Sequence, residues 1–494
     1  MTQPFNVLFL SSEVYPFAKT GGLADVASSL PQALKELGND VRLAIPRYGF
    51  ISERKFRIHE IIRLKDINIP IGKKAAKLNV KSSFLVGERT KVQIYFIDSS
   101  EFFGRAGIYQ DPKTSKDYPD NDERFIFYSR GIFEILKRLG WPPHVIHCND
   151  WQTGLVPAYL KKNYSEDPFF KNVKTVFTIH NISYQGNFPK ETFLKTGLPD
   201  DVFTPDGAEF YGQFSFLKAG LAYADFITTV SPTYAKEISE SDEYGCGMSG
   251  ILKKRRKNFM GIVNGIDYDV WNPDSDKNIP FKYNVKMLDA KVENKKYLLK
   301  KFNMKYDPGV PLIGMISRLV EQKGVDLVIE GFDALMKLNV QVVILGMGEK
   351  EYQNKLEALA KKYAGRFALH IGYDDELSHL IEAAADIYLM PSKYEPCGLN
   401  QLYSLKYGTV PVVRRTGGLA DTVKEVNIQK GTGTGFFFEK ASVEDMVKGV
   451  AAAVKCYGDQ KNWQKIMRNG MMEDFSWANS ARQYVDLYSK ILEK

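Results

Sequence analysis

The chain has 494 residues, too many for one ordinary hydrophobic core, and that length points to roughly two to four domains. Its 44% hydrophobic and 26% charged residues are those of a globular chain, and no apolar run approaches the ~20 residues needed to span a bilayer, so no membrane partner is expected. The formal charge of +8 is mild, and its sharpest run, Lys253-Lys254-Arg255-Arg256-Lys257, carries no interleaved aromatic residue, so it reads as a solvated helix face and not as a nucleic-acid site.

The first residues, Met1-Thr2-Gln3-Pro4, have no basic n-region, and the apolar run Phe5 to Leu10 is too short for a signal peptide and reads as a strand. Short β-rich runs then alternate with helix-like segments. In the first half the strands are Val7–Leu10, Val41–Ile45, Val92–Ile97, Val145–Cys148, Thr175–Ile179, Phe226–Val230 and Gly261–Val263. In the second half they are Leu312–Ile316, Val342–Leu345, Ala368–Ile371, Ile387–Met390 and Val410–Val413. Leu23–Leu37 is a helix closed by Gly38, with Val26, Leu30, Leu34 and Leu37 on one face. Pro31 lies inside it and is expected to kink it or to mark a second start. Such alternation implies parallel sheets with crossover helices, here two doubly wound α/β domains. Ligands bind such sheets beyond the carboxyl ends of the strands.

The boundary is expected after Asn264-Gly265, where the turn-rich stretch Trp271-Asn272-Pro273-Asp274-Ser275-Asp276 follows. The domains are therefore read as 1–265, 266–474 and a terminal helical segment, 475–494, that packs back on the first half. Cys148, Cys246, Cys397 and Cys456 are far apart and form no CxxC, which argues against a disulfide framework or zinc site and suits a reducing cytoplasm.

One word recurs. Thr20-Gly21-Gly22-Leu23-Ala24-Asp25, preceded by Lys19, returns as Thr416-Gly417-Gly418-Leu419-Ala420-Asp421. Glycines let backbone amides approach a ligand, and amides at a helix N-terminus favour an anion. Two readings stand: similar halves whose glycine loops face one cleft and hold an anionic ligand, or unrelated βα turns of common composition.

The residues at strand ends carry the chemistry. Arg318 and Lys323 follow the first strand of the second half, where a fork and a point charge suit a departing diphosphate. Glu395 precedes a helix whose amides begin near Gly398, so a carboxylate for sugar hydroxyls stands beside amides for phosphate; the alternative is a plain helix cap. Asp150 and His180 end two first-half strands. The long irregular region Ser99 to Arg124 contains Tyr109, Asn121 and Arg124, candidates for contacts to a carbohydrate acceptor; a surface loop pinned by its aromatics is the equal alternative. Asp274 and Asp276 form a DxD pair that reads as loop composition, and no metal is expected.

Lys19 to Gly22, His147 to Trp151, His180-Asn181, Phe216 to Gly220, Asn264 to Asp267, Ser317 to Leu319, Glu395 to Leu399 and Arg414 to Gly418 stand in one order, and together they resemble the bacterial glycogen synthases and plant starch synthases over nearly the whole chain. The resemblance implies a GT-B fold and retaining transfer of glucose from ADP-glucose to the non-reducing end of an α-1,4-glucan, glycogen or starch, without metal or other cofactor. It implies a cytoplasmic enzyme, or a plastid one in a plant, although no transit peptide is seen. By position, Lys19 resembles the ADP-glucose-binding lysine, with Gly21, Gly22 and Asp25 in the same loop. Arg318 and Lys323 resemble the pair that neutralises the diphosphate. Glu395 resembles the acid beside the glucosyl unit, and Cys397, Gly398, Leu399 and Asn400 belong to its phosphate-contacting loop. Asp150, His180 and Asn264 resemble residues around the glucose, and Tyr373 the adenine-stacking tyrosine. Many related retaining transferases carry a second Glu eight positions after the first; here that position is Tyr403, as in the synthases.

Two rival classes share parts of this pattern. A sucrose or trehalose-phosphate synthase would lack the Lys-Thr-Gly-Gly start, and a non-catalytic nucleotide-sugar or glucan-binding protein would be expected to have lost Arg318, Lys323 or Glu395, all of which are present.

Overall fold

The computed structural model describes residues 4–87 and 90–493. The chain forms two compact units. The first comprises Met1–Val230, Ala235–Gly265 and Trp477–Lys494; the second comprises Ser231–Tyr234 and Ile266–Ser476. Four residues inside the expected first domain thus belong to the second unit. The Ser231 hydroxyl donates to Pro396 O (2.8 Å), and Thr233 donates through its amide (2.8 Å) and its hydroxyl (2.6 Å) to the Asp421 carboxylate.

The first unit is built on a ten-stranded sheet. Seven strands run parallel in the order Phe259–Gly261, Phe226–Thr229, Lys174–Ile179, Val145–Asn149, Asn6–Leu10, Asp40–Pro46, Lys91–Asp98. Their central members are buried along almost their whole length, as expected of strands covered by helices on both faces. The last expected strand, Gly261–Val263, lies instead at Phe259–Gly261. An antiparallel extension, Lys74–Val86 with His59–Glu60 and Ile67–Ile71, has no counterpart among the expected strands. Its two-sided alternation, with Ala76, Leu78 and Val80 buried and Lys77 and Asn79 less buried between them, is the pattern of a half-solvated strand and not of the continuous apolar runs beside it.

Gly22–Glu36 is one helix. Pro31 does not divide it, since one missing donor counts for less than burying Leu23, Val26, Leu30 and Leu34. Leu37 is exposed at the helix end, and Gly38, at φ 93°, reverses the chain there. The terminal helix Trp477–Leu492 packs within the first unit: the Tyr488 hydroxyl lies 2.7 Å from His147 Nδ1, and the Ser480 hydroxyl donates to Val263 O (2.7 Å).

The second unit holds a six-stranded parallel sheet in the order Phe367–Ile371, Gln341–Gly348, Leu312–Leu319, Ile387–Met390, Val410–Arg414, Phe436–Phe438. Its core packs the helices Val325–Met336, Val443–Tyr457 and Gln460–Met471 around Phe332, Val412, Met446 and Trp463.

Two polar motifs prove to be structural. Asp276 of the DxD pair is buried; it lies 2.8 Å from His379 Nδ1 and accepts from the Tyr407 hydroxyl (2.5 Å), while Trp271 stacks between His379 and Tyr403 at 3.7 and 3.9 Å. In the basic run, Arg255 is not solvated. Its guanidinium donates to the carbonyls of Leu221 (2.7 Å) and Ala222 (2.8 Å) at the end of the helix Phe216–Tyr223, a favourable position for a cation.

Candidate active site

In the second unit the site is built on a divergence of strands. Leu312–Leu319 pairs with Ile387–Met390 only at Ile313 and Gly314, then runs on beside Gln341–Gly348 as far as Leu319. The opening is filled by polar groups. The Tyr388 hydroxyl accepts from Ile316 N (3.0 Å) and donates to Ile316 O (3.1 Å). The Asn400 side-chain amide donates to the same carbonyl (2.8 Å) and to the Tyr388 hydroxyl (2.6 Å). This prop stands directly before Ser317-Arg318. The side chain of Asn400 therefore holds the strand end; the phosphate role read for residue 400 rests on its backbone alone.

Arg318 is exposed and reaches Gln322 Oε1 at 3.3 Å, and Gln322 in turn donates to Tyr394 O at 3.3 Å. The short turn Glu321–Lys323 ends at Gly324, φ 68°, where a Cβ would lie 2.1 Å from Pro391 O. This close approach brings Lys323 to Glu395: Nζ to Oε2 is 2.6 Å. Ser392 donates to the same oxygen at 2.9 Å, and Glu395 is 4% exposed. One carboxylate oxygen is thus committed to the lysine and the serine.

The second glycine word cradles this loop. Gly418 N donates to Glu395 O (3.0 Å). A Cβ on Gly417 would lie 1.9 Å from Glu395 O, and one on Gly418 2.1 Å from Cys397 O. The absence of a Cβ at both positions lets the Glu395–Cys397 backbone pass. Cys397 is buried, Gly398 sits at φ 72°, and Gln401 Nε2 donates to the carbonyls of both (2.9 and 3.0 Å), leading into the helix Asn400–Lys406 capped by Leu399. Tyr373, just past the strand Phe367–Ile371, is 75% exposed and its hydroxyl donates to Asp375 (3.2 Å).

In the first unit, Asp150 follows the strand Val145–Asn149 with φ 55° and ψ 179°, a sparsely populated conformation for a residue other than glycine. Its carboxylate accepts from His180 N at 2.7 Å. Burial pushes its pKa up to about 7, with the charge of Glu13 adding to the rise and backbone donors from His180 and Asn181 opposing it. His180 Nε2 lies 2.9 Å from Asn149 Oδ1, and Asn149 Nδ2 donates to Leu10 O (2.8 Å). That amide orientation places the histidine proton on Nε2 and leaves Nδ1 as an acceptor. Burial lowers the His180 pKa to about 3, so the ring is neutral at pH 7. Asn264 is buried at the end of this unit's second segment.

The first glycine word behaves differently from expectation. Lys19 pairs with Asp25 at 2.7 Å, yet the amides of Thr20 and Gly21 are taken by an internal carboxylate, that of Glu13. Two of the amides read as facing an anionic ligand are thus held by an internal carboxylate. Of the acceptor candidates, Arg124 is 0% exposed, bonding Phe102 O (2.8 Å) and Asn121 Oδ1 (2.6 Å), and Asn121 is buried and donates to Tyr109 O (3.0 Å). Both belong to the helix Asn121–Leu139 and hold the loop, presenting almost no surface to a glucan, so the pinned-loop reading applies to them. Tyr109 keeps part of its ring exposed but spends its hydroxyl on Ser12 and Glu13.

Sequence reasoning passed over Glu13, Asn149, Gln322, Tyr388 and Ser392. One available signal was position: Ser11-Ser12-Glu13 stands at the carboxyl end of the first strand, as Asp150 does at another.

Comparison with known proteins adds an independent line. Residues 6–254 match the family model described as starch synthase catalytic domain, and residues 299–470 match glycosyl transferases group 1. The glycogen synthase of Desulforudis audaxviator is 45% identical, with 100% of this chain and 97% of that protein aligned. That of Syntrophotalea carbinolica is 43% identical, with 99% of each covered. Among solved structures, the catalytic domain of starch synthase IV from Arabidopsis thaliana, bound to ADP and acarbose, superposes with a TM-score of 0.90 at 31% identity over 100% of both chains.

Proposed function

The chain belongs to the glycogen and starch synthase family, glucosyltransferases of the GT-B fold, and on that premise we propose that it transfers glucose from ADP-glucose to the non-reducing 4-OH of an α-1,4-glucan with retention of configuration. The observation that carries the reading is the Lys323–Glu395 pair at 2.6 Å with Arg318 on the adjoining strand end. Cations beside a carboxylate are the combination that a sugar diphosphate calls for, and this supports the reading. ADP as the donor nucleotide is supported by the ADP-bound starch synthase relative.

The bond from the anomeric carbon to the diphosphate breaks, and a bond to the acceptor O4 forms on the same face. The acceptor proton passes to the leaving phosphate oxygen, and ADP is released. Arg318 and Lys323 neutralise the charge that develops on the diphosphate, which is the electrostatic contribution a transition state rewards most. This charge is proposed to do the work without a metal. Glu395, with one oxygen engaged by Lys323 and Ser392, offers the other to sugar hydroxyls. The backbone of Gly398, Leu399 and Asn400 contacts phosphate, and the exposed ring of Tyr373 stacks on adenine. In the first unit, Lys19 is assigned to the donor, and Asp150, His180 and Asn264 to the glucosyl group; neutral His180 hydrogen-bonds a hydroxyl and does not act as a cation.

No helix among the described residues is long and apolar enough to cross a membrane, and the cytoplasm is the proposed compartment. The deciding experiment measures nucleotide release from ADP-glucose and from UDP-glucose, each with and without glycogen. Glycogen-dependent release of ADP is expected. Release that ignores glycogen, or that occurs only with UDP-glucose, would replace this reading with another nucleotide-sugar transferase.

A further inference from the structure

Glu13 is 4% exposed and its carboxylate accepts four hydrogen bonds. Oε2 takes the amides of Thr20 (2.5 Å) and Gly21 (3.2 Å). Oε1 takes the hydroxyls of Thr20 (2.6 Å) and Tyr109 (2.8 Å). The Tyr109 hydroxyl also lies 2.6 Å from Ser12 Oγ, and the Ser11 hydroxyl donates to the Glu13 carbonyl (2.6 Å), fixing the backbone that carries the acid. Around it the chain is tightly folded: Val14 and Ala18 exchange backbone bonds at 3.0 and 2.9 Å, and Tyr15 N donates to Ala24 O (3.1 Å).

Two segments far apart in sequence therefore meet on one carboxylate. One is the Lys19-Thr20-Gly21 loop with the start of the helix Gly22–Glu36. The other is the irregular stretch that carries Tyr109, itself held by the Asn121 amide. Amides at a helix start are oriented donors that otherwise seek water or an anion. Here the amides of Thr20 and Gly21 are satisfied from within, so the loop that carries Lys19 is already set when a ligand arrives.

We propose that Glu13 is a positioning residue that locks the Lys19 loop to the Tyr109 segment, so that Lys19 meets the donor pre-organised. Glu13 itself does not touch the donor. The inference rests on the donor-binding role assigned to Lys19 above.

Glu13→Gln is the informative variant, because it keeps the size of the side chain but turns an NH₂ toward at least two of the four donors. Loss of such a charge-assisted set is expected to raise KM for ADP-glucose about tenfold, with kcat reduced less and KM for glycogen unchanged. Tyr109→Phe and Thr20→Val, which keep the acid and remove one hydroxyl each, shift the same KM about two- to threefold. Combining Tyr109→Phe with Glu13→Gln adds nothing further, since both remove one shared interaction. Lys19→Ala is run in parallel. If Lys19→Ala raises KM for ADP-glucose while folded Glu13→Gln, Tyr109→Phe and Thr20→Val all stay within twofold of the parent, the positioning role is overturned. If Lys19→Ala itself leaves that KM unchanged, the donor role of the loop fails, and this inference with it.

Discussion

Lys323 Nζ lies 2.6 Å from Glu395 Oε2, with the carboxylate side chain 6% exposed and the lysine 20%. The pair is therefore asymmetric. Removing the lysine strands a buried carboxylate that keeps the Ser392 hydroxyl, whereas removing the carboxylate leaves an ammonium with access to water.

Lys323→Ala is expected to lower both activity and stability. Loss of a charge aimed at the leaving group costs on the order of 10²–10³ in kcat, and the orphaned carboxylate about 1–3 kcal/mol of unfolding free energy. Adding Glu395→Gln to Lys323→Ala restores most of the stability without restoring turnover. Urea titrations of Lys323→Ala, of Glu395→Gln alone and of the double variant measure the coupling; strictly additive losses would mean that the two residues do not depend on each other.

Arg318 offers the contrast. It is exposed, and its side-chain bond to Gln322 is long at 3.3 Å. Arg318→Ala should leave stability within about 0.5 kcal/mol of the parent while kcat falls on the order of 10²–10³. Turnover within a few-fold of the parent would remove Arg318 from the transition state.

Much of this was legible in the residues because parallel strands buried on both faces read as uninterrupted apolar runs, and because polar residues that follow such runs stand near the strand ends within each unit. Arg318, Asp150 and Glu395 are candidates on that ground. What was not legible was partnership. Nothing in Thr416-Gly417-Gly418 says that its glycines exist to let Glu395 and Cys397 pass, and nothing in Thr20-Gly21 says that Glu13 fills its amides. Arg124 and Asn121 looked like sugar ligands by type; burial, which composition cannot supply, makes them struts. The antiparallel strand Lys74–Val86 was lost for a different reason, since its polar alternation resembles a loop when every neighbouring strand is continuously apolar.

The two copies of the glycine word should therefore respond oppositely to alanine. Gly417 sits at φ 43° with no room for a Cβ, and Gly418 has the same steric conflict with Cys397 O. Gly21 is extended at φ −157°, and a Cβ there meets nothing within 4 Å. Gly417→Ala and Gly418→Ala should each cost at least about 2 kcal/mol or prevent folding, while Gly21→Ala stays within about 0.5 kcal/mol. Thermal melts of the three variants decide it, and equal losses would erase the distinction drawn here.

Buried histidines set an acid limit. Burial, with a smaller contribution from neighbouring His180, lowers the His147 pKa to about 3, against about 6.5 in the unfolded chain. Between those values the unfolded chain binds a proton that the folded chain refuses. The stability contributed by neutral His147 is complete above pH 6.5 and is lost as the pH falls, by about 1.4 kcal/mol per pH unit. His147→Gln should flatten the dependence of unfolding free energy on pH by that slope between about pH 4 and 6.5. An unchanged slope in denaturant titrations across that range would show that the ring titrates normally in the fold.

Asp150 works in the opposite sense and ties stability to chemistry. Its carboxyl is raised by burial first and by Glu13 as well, to about 7, while an unfolded aspartate titrates near 3.9. Between those values the folded chain keeps a proton that the unfolded chain has released, so stability falls as pH rises and the full cost is present above pH 7. Asp150→Asn removes the ionisation and keeps an oxygen for the His180 amide. The variant should gain stability over the parent, and the gain should be about 2–3 kcal/mol larger at pH 8 than at pH 5. Its turnover should fall, because the carboxylate is assigned to the glucosyl group, so the residue trades stability for function. A variant less stable than the parent at pH 8 would mean that the backbone donors of His180 and Asn181 outweigh burial, and that the aspartate is an anchored anion at no cost to the fold.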